Sequence, residues 1–186
     1  MIILASVSPR RRELMGLIAK DFKCVRPECN ENLPAGISPR DAVCNLAQRK
    51  AASVAVNDED IVIGADTVVA AGGKILGKPA DKAEAADMLR ILSGTEHEVY
   101  TGVAILGKNI NEVFFCKTEV RFKKLTEEEI MSYVATGEPM DKAGAYGIQG
   151  SGALFISGIS GDYYNVMGLP VCMLNEKIKF YSVKSL

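Results

Sequence analysis

Chemistry in an α/β chain gathers where strands hand over to turns and helices, and three such junctions here carry suitable residues. The first is Ser6-Val7-Ser8-Pro9-Arg10-Arg11-Arg12, which follows the apolar run 2–5 and opens a stretch with helical spacing. Hydroxyls, backbone N–H groups and the positive end of a helix dipole converge at such a place, and guanidinium groups grip phosphate oxygens in pairs. Ser6, Ser8, Arg10 and Arg11 are therefore candidates for holding a phosphate. A capped helix start with solvated arginines would present the same residues. Neither G-x-x-x-x-G-K-[ST] nor G-x-G-x-x-G occurs, which argues against P-loop and dinucleotide-type phosphate binding.

The second junction is Gly64-Ala65-Asp66-Thr67, after the apolar residues 61–63. A carboxylate delivered at the C-terminal end of a strand can hold Mg²⁺ or orient a water. An Asp-Thr turn that bonds its own backbone is the simpler alternative. Apolar strand-type residues on either side make an unpaired aspartate expensive, which favours a functional role for Asp66. The third comprises Leu76-Gly77-Lys78-Pro79 and residues 141–150, Asp-Lys-Ala-Gly-Ala-Tyr-Gly-Ile-Gln-Gly. Lys78 offers a point charge for phosphate, and Gln149 offers both donor and acceptor, which suits the edge of a base. Turn punctuation explains the glycines almost as well; their density beside Tyr146 and Gln149 tilts the reading toward a ligand. His97, with alternating neighbours, reads as a structural or hydrogen-bonded histidine, and the acidic run 127–129 as a favourable first helical turn instead of a metal cage.

These residues need a scaffold, and strand and helix signals alternate along the chain. Residues 2–5 read as a buried strand, and residues 10–20 as a helix capped by Ser8 with Pro9 in its first turn. Ser38-Pro39-Arg40-Asp41 opens a second helix through Val43, Leu46, Ala47 and Ala51, closed by Asn57-Asp58. Residues 61–63 begin a strand, and Gly72-Gly73 suits a hairpin. Asp81 caps a helix stopped by Ser93-Gly94. Residues 97–106 and 112–122 look like an antiparallel pair, Thr126 with Glu129 forms a capping box, residues 153–159 are strand-like, and a last helix follows Pro170. The expected fold is α/β, a mixed twisted sheet flanked by helices, with residues 1–186 as one domain.

Composition narrows the partners. The chain has 186 residues, 48% hydrophobic, with 22 Lys+Arg against 23 Asp+Glu and a formal net charge of −1. General affinity for nucleic acid or an anionic membrane needs a basic excess, so neither is an expected partner. No apolar window approaches the roughly 18 to 20 residues that span a bilayer. The charges at residues 10–12 follow the apolar start, opposite to a secretory signal, so the mature chain is expected to begin at Met1. Five scattered cysteines without a C-x-x-C pair fit a reducing cytoplasm, most of them as small buried hydrophobes.

Taken in order, Ser6-x-Ser8-Pro9-Arg10-Arg11, Gly64-Ala65-Asp66-Thr67-Val68-Val69, Gly77-Lys78-Pro79, Ser93-Gly94-x-x-His97-x-Val99-x-Thr101, the 141–150 segment and Tyr164-Asn165-Val166-Met167-Gly168-Leu169-Pro170 resemble the Maf family of nucleoside triphosphate pyrophosphatases. Val7 stands where a small residue is common, and Met167 lies inside the last motif. The resemblance implies a fold related to the inosine triphosphate pyrophosphatases, with a central cleft and often a dimer. It implies hydrolysis between the α and β phosphates of a nucleoside triphosphate, with Mg²⁺ or Mn²⁺. Asp66 would be the proton acceptor, Arg10, Thr67 and Gln149 would match positions for substrate choice, and Glu31 and Lys50 fall at family polar positions. Ser6, Ser8, Arg11, Lys50 and Lys78 would then hold phosphates, and Asp66 with Glu31 the metal. The form of the 141–150 loop looks like the subgroup acting on dTTP and UTP. The alternative class is a nucleotide-binding regulator of cell division that does not process its ligand.

Overall fold

Four helix starts follow directly from side chains that accept backbone N–H groups: Ser8, Ser38, Asp81 and Thr126 each cap a helix, the last with Glu129 in a full capping box. The computed structural model describes residues 1–54, 57 and 59–184, with side chains described as far as Tyr181. In chain order the elements are β1 (Ile2–Ala5), α1 (Pro9–Met15), β2 (Phe22–Val25), α2 (Pro39–Ala52), β3 (Ile61–Ala71), β4 (Lys74–Leu76), α3 (Lys82–Leu92), β5 (Glu96–Gly107), β6 (Ile110–Phe122) and α4 (Glu127–Ala135). Three short 3₁₀ helices follow (Glu138–Asp141, Ala143–Ala145, Gly150–Phe155), then β7 (Ile156–Ser160), α5 (Tyr163–Met167) and α6 (Val171–Lys184).

The strands form a mixed seven-stranded sheet in the order β2-β1-β3-β5-β6-β7, with β4 paired to β3. Strand β1 is parallel to both neighbours, in the registers Ala5 to Val25 and Ala5 to Gly64. Strand β7 is antiparallel to β6. Gly72 and Gly73, both at positive φ, turn β3 back into β4, as the sequence predicts.

The chain divides into two compact units, described in turn. The first comprises Met1–Asp66, Thr101–Cys116 and Gly168–Leu186. Its core joins Ile3, Ala5, Ala47, Ala51, Val62 and Ala104. Helix α2 lies directly on the sheet because two strand positions lack a side chain. A Cβ on Gly64 would stand 2.2 Å from the Ala47 carbonyl oxygen, and one on Gly102 2.4 Å from that of Val43. The second unit comprises Thr67–Tyr100 and Lys117–Met167. Its core packs α3 and α4 around Phe122, Tyr133, Tyr146 and Phe155, with edge-to-face ring contacts at 4.7 to 6.0 Å.

Several expectations need correction. Helix α1 ends at Met15, not near residue 20, with Gly16 as its cap. Helix α2 ends at Ala52 with Ser53 as cap, before the expected stop at Asn57-Asp58; Asp58 lies outside the described residues. The strand expected at 153–159 begins only at Ile156, because residues 150–155 wind into a 3₁₀ helix. None of the five cysteines is buried: Cys24 and Cys172 are exposed and Cys29, Cys44 and Cys116 half-buried, with no disulfide among them. No helix among the described residues is long and apolar enough to cross a membrane.

Candidate active site

Asp66 does not end its strand; it sits in the middle of the eleven-residue β3. The parallel pairing of β1 with β3, however, stops at Ala5 opposite Gly64, so Asp66 stands two residues beyond the carboxyl end of β1. That is the edge at which α/β sheets place their ligands.

The partner of Asp66 comes from α2. Val43, Leu46, Ala47, Lys50 and Ala51 share its buried face, so a lysine occupies a position where the helical period calls for an apolar residue. Close seating of α2 on Gly64 brings the Lys50 ammonium to 2.5 Å from Asp66 Oδ1. Each residue is 8% exposed. The same ammonium reaches Glu31 Oε1 at 3.2 Å, a carboxylate that is itself exposed. Lys50 thus bridges two carboxylates, Asp66 on the buried side and Glu31 on the exposed side.

Arg11 faces this cluster from α1. Its Nε donates to the Gly168 carbonyl at 2.8 Å. Burial lowers its pKa, the charge of Asp66 opposes that shift, Arg10 adds to it, and Glu31 opposes it again. The guanidinium remains a cation regardless. Ser6, 5% exposed, accepts the Ser8 N–H at 3.2 Å, and Ser8 accepts the Arg11 N–H as helix cap. Both hydroxyls therefore serve the turn as acceptors, while an accepting hydroxyl still has a proton to donate to an anion. The first unit accordingly gathers Ser6, Ser8, Arg11, Glu31, Lys50 and Asp66, two cations and two carboxylates around one sheet edge, with Arg10 next to Arg11 on α1.

Thr67, Lys78 and Gln149 belong to the second unit. Thr67 follows Asp66 on β3 and, by strand alternation, points to the opposite face. Lys78 is exposed just after β4. Gln149 is half-buried and begins the 3₁₀ helix Gly150–Phe155. The glycines around it have packing reasons: a Cβ on Gly144 would meet Val69 at 2.8 Å, and one on Gly152 the Gly147 carbonyl at 2.4 Å. Their density therefore reports a tightly folded loop before it reports a ligand.

His97 is structural, as its neighbours suggested. It is 2% exposed, its Nε2 shares a 2.8 Å hydrogen bond with the Tyr146 hydroxyl, and its Nδ1 is buried without a partner among the described residues. Burial pushes its pKa down to about 4. Glu129 serves the capping box and pairs with Lys123, and Glu127 pairs with Arg90, in keeping with a helix first turn. Among the described residues no three His, Cys, Asp or Glu side chains gather to hold a metal.

A family model described as Maf-like protein matches residues 1–180. The chain is 53% identical over 183 residues to the dTTP/UTP pyrophosphatase of Bacillus anthracis (strain CDC 684 / NRRL 3495), covering 98% of this chain and 96% of that protein. It is 52% identical to the dTTP/UTP pyrophosphatase of Bacillus cereus (strain AH820), with the same coverage. Among solved structures, the Staphylococcus aureus Ham1 protein aligns over 65% of this chain and 71% of its own, at 16% identity and a TM-score of 0.48. The whole-length family match, together with relatives at this identity, establishes that the chain belongs to the Maf-like family.

Proposed function

We propose that this protein hydrolyses dTTP and UTP to the nucleoside monophosphate and pyrophosphate. The observation that carries the reading is the buried Lys50–Asp66 contact at the carboxyl edge of the sheet, with Arg11 and Glu31 beside it. The names of the relatives, dTTP/UTP pyrophosphatase, support the choice of substrate.

Asp66 accepts a proton from the water that attacks the α phosphorus, and Lys50 fixes the carboxylate that does so. Arg10, Arg11 and Lys78 neutralise phosphate oxygens and the charge that develops on the departing pyrophosphate, with Ser6 and Ser8 donating hydrogen bonds. Gln149 reads the base edge, and Arg10 and Thr67 contribute to substrate choice. No covalent intermediate on the protein is needed.

A divalent cation fits the donor set. Asp66 and Glu31 supply hard oxygen ligands that already share one positive charge, the Lys50 ammonium. Mg²⁺ needs no more than one or two protein carboxylates when phosphates and waters complete its shell. Bound there, Mg²⁺ or Mn²⁺ would draw charge from the phosphates. We further propose a cytoplasmic location and, from the family resemblance, a homodimer, with bulk nucleic acid outside the substrates.

A nucleotide panel with Mg²⁺ or Mn²⁺ tests the proposal. The highest kcat/KM is expected for dTTP and UTP; preference for 7-methyl-GTP or ITP would overturn the assignment. Tight binding with no turnover on any nucleotide would make the protein a sensor instead of an enzyme.

A further inference from the structure

Gln149 lies on neither a strand nor a long helix, so something else must hold its amide in place. Its backbone is extended, with φ −93° and ψ 157°, at the start of a six-residue 3₁₀ helix. The peptide units on both sides of it lead to one carboxylate. The Ser151 N–H donates to Glu138 Oε2 at 3.1 Å and the Gly152 N–H to Glu138 Oε1 at 3.4 Å. The Tyr133 hydroxyl donates to Glu138 Oε1 at 3.0 Å and accepts the Gly147 N–H at 3.3 Å.

The rest of the loop is shaped around this clamp. A Cβ on Gly150, which has a φ of +74°, would stand 2.9 Å from Glu138 Oε1, and one on Gly152 2.8 Å from the Tyr133 hydroxyl. The Lys142 ammonium donates to the Glu138 carbonyl at 2.6 Å and so ties down the start of the segment. Tyr133 is 3% exposed on the buried face of α4; burial and the Glu138 carboxylate raise its pKa, so the phenol stays a donor. The rim of hydrogen bonds runs from Gly147 to Gly152 and leaves Gln149 at its centre.

We infer that Glu138 and Tyr133 are positioning residues for base recognition, acting through the backbone that presents Gln149. The inference rests on the proposed action on pyrimidine triphosphates. A side-chain amide discriminates between bases only while it is held within a fraction of an ångström of its aim, and this loop has no regular element to do that.

Glu138→Gln keeps the shape but replaces an acceptor oxygen by an NH₂ group facing backbone N–H donors. Tyr133→Phe removes only the linking hydroxyl. Each is expected to raise the KM for dTTP on the order of tenfold with kcat changed much less, the size of one lost charge-assisted hydrogen bond. The preference for dTTP over dATP should fall by a similar factor. In a Gln149→Ala background the same substitutions should leave KM and preference where Gln149→Ala alone puts them. A purely structural role would lower the melting temperature without moving either quantity. Glu138→Gln or, should that variant not fold, Tyr133→Phe with wild-type KM and preference overturns the inference, as does an undiminished effect without Gln149. Wild-type protein that releases no pyrophosphate from dTTP would overturn the functional reading and this inference with it; wild-type turnover with an unmoved KM overturns this inference alone.

Discussion

Removing one member of the Lys50–Asp66 pair leaves the other charge in a pocket where water solvates it poorly. Asp66→Asn should therefore lose turnover by a factor on the order of 10²–10⁴, as for a missing general base, and also lose about 3 kcal/mol of stability. Adding Lys50→Met should restore most of the stability in urea unfolding and none of the activity. Wild-type rates in Asp66→Asn would remove Asp66 from catalysis. His97 gives a second prediction. Its pKa is about 4 in the folded protein against 6.5 for a free histidine, so between those values the unfolded chain binds more protons and stability falls as pH falls. The loss should approach about 3 kcal/mol from pH 6.5 down to pH 4, and His97→Gln should flatten that part of the urea-midpoint profile. The sequence singled out Asp66 by the cost of an unpaired carboxylate between apolar neighbours. Lys50 entered only through the family resemblance; its local signal, a charge in the apolar stripe of α2, names no partner, and the residue that pairs with it is 16 positions away.

The helices that carry these groups start where the sequence puts them, because capping is a local matter of one side chain and the next three N–H groups. Other elements depend on what the chain meets elsewhere. Strand β2 escaped notice because it lies at a sheet edge with three of its four residues exposed, leaving no alternation to read. The 3₁₀ winding of residues 150–155 rests on Glu138, some thirteen positions earlier. Seating of α2 on the sheet depends on Gly64. Gly64→Ala would drive a methyl group into the α2 backbone at Ala47 and Ala51, lift Lys50 away from Asp66, and cost about 3 kcal/mol in thermal or urea unfolding. Gly77→Ala, with open space around the added atom and an ordinary φ, should stay within about 0.5 kcal/mol of wild type. Equal stability of the two variants would contradict this account of the seating.

Over the whole molecule, 22 basic and 23 acidic residues nearly cancel, yet their distribution is uneven. Arg11 and Lys50 converge beside Asp66, with Arg10 next to Arg11, enough for one small polyanion and too little for a nucleic acid backbone. Six motifs in the family order run through both compact units, and the family match covers residues 1–180. On the proposed function, this cluster directs water to the α phosphorus of a pyrimidine nucleoside triphosphate. The most direct test is ³¹P NMR of dTTP turned over in H₂¹⁸O with Mg²⁺. Pyrophosphate is expected as the released product, with the heavy oxygen on dTMP. Orthophosphate with dTDP, or the heavy oxygen on pyrophosphate, would contradict it.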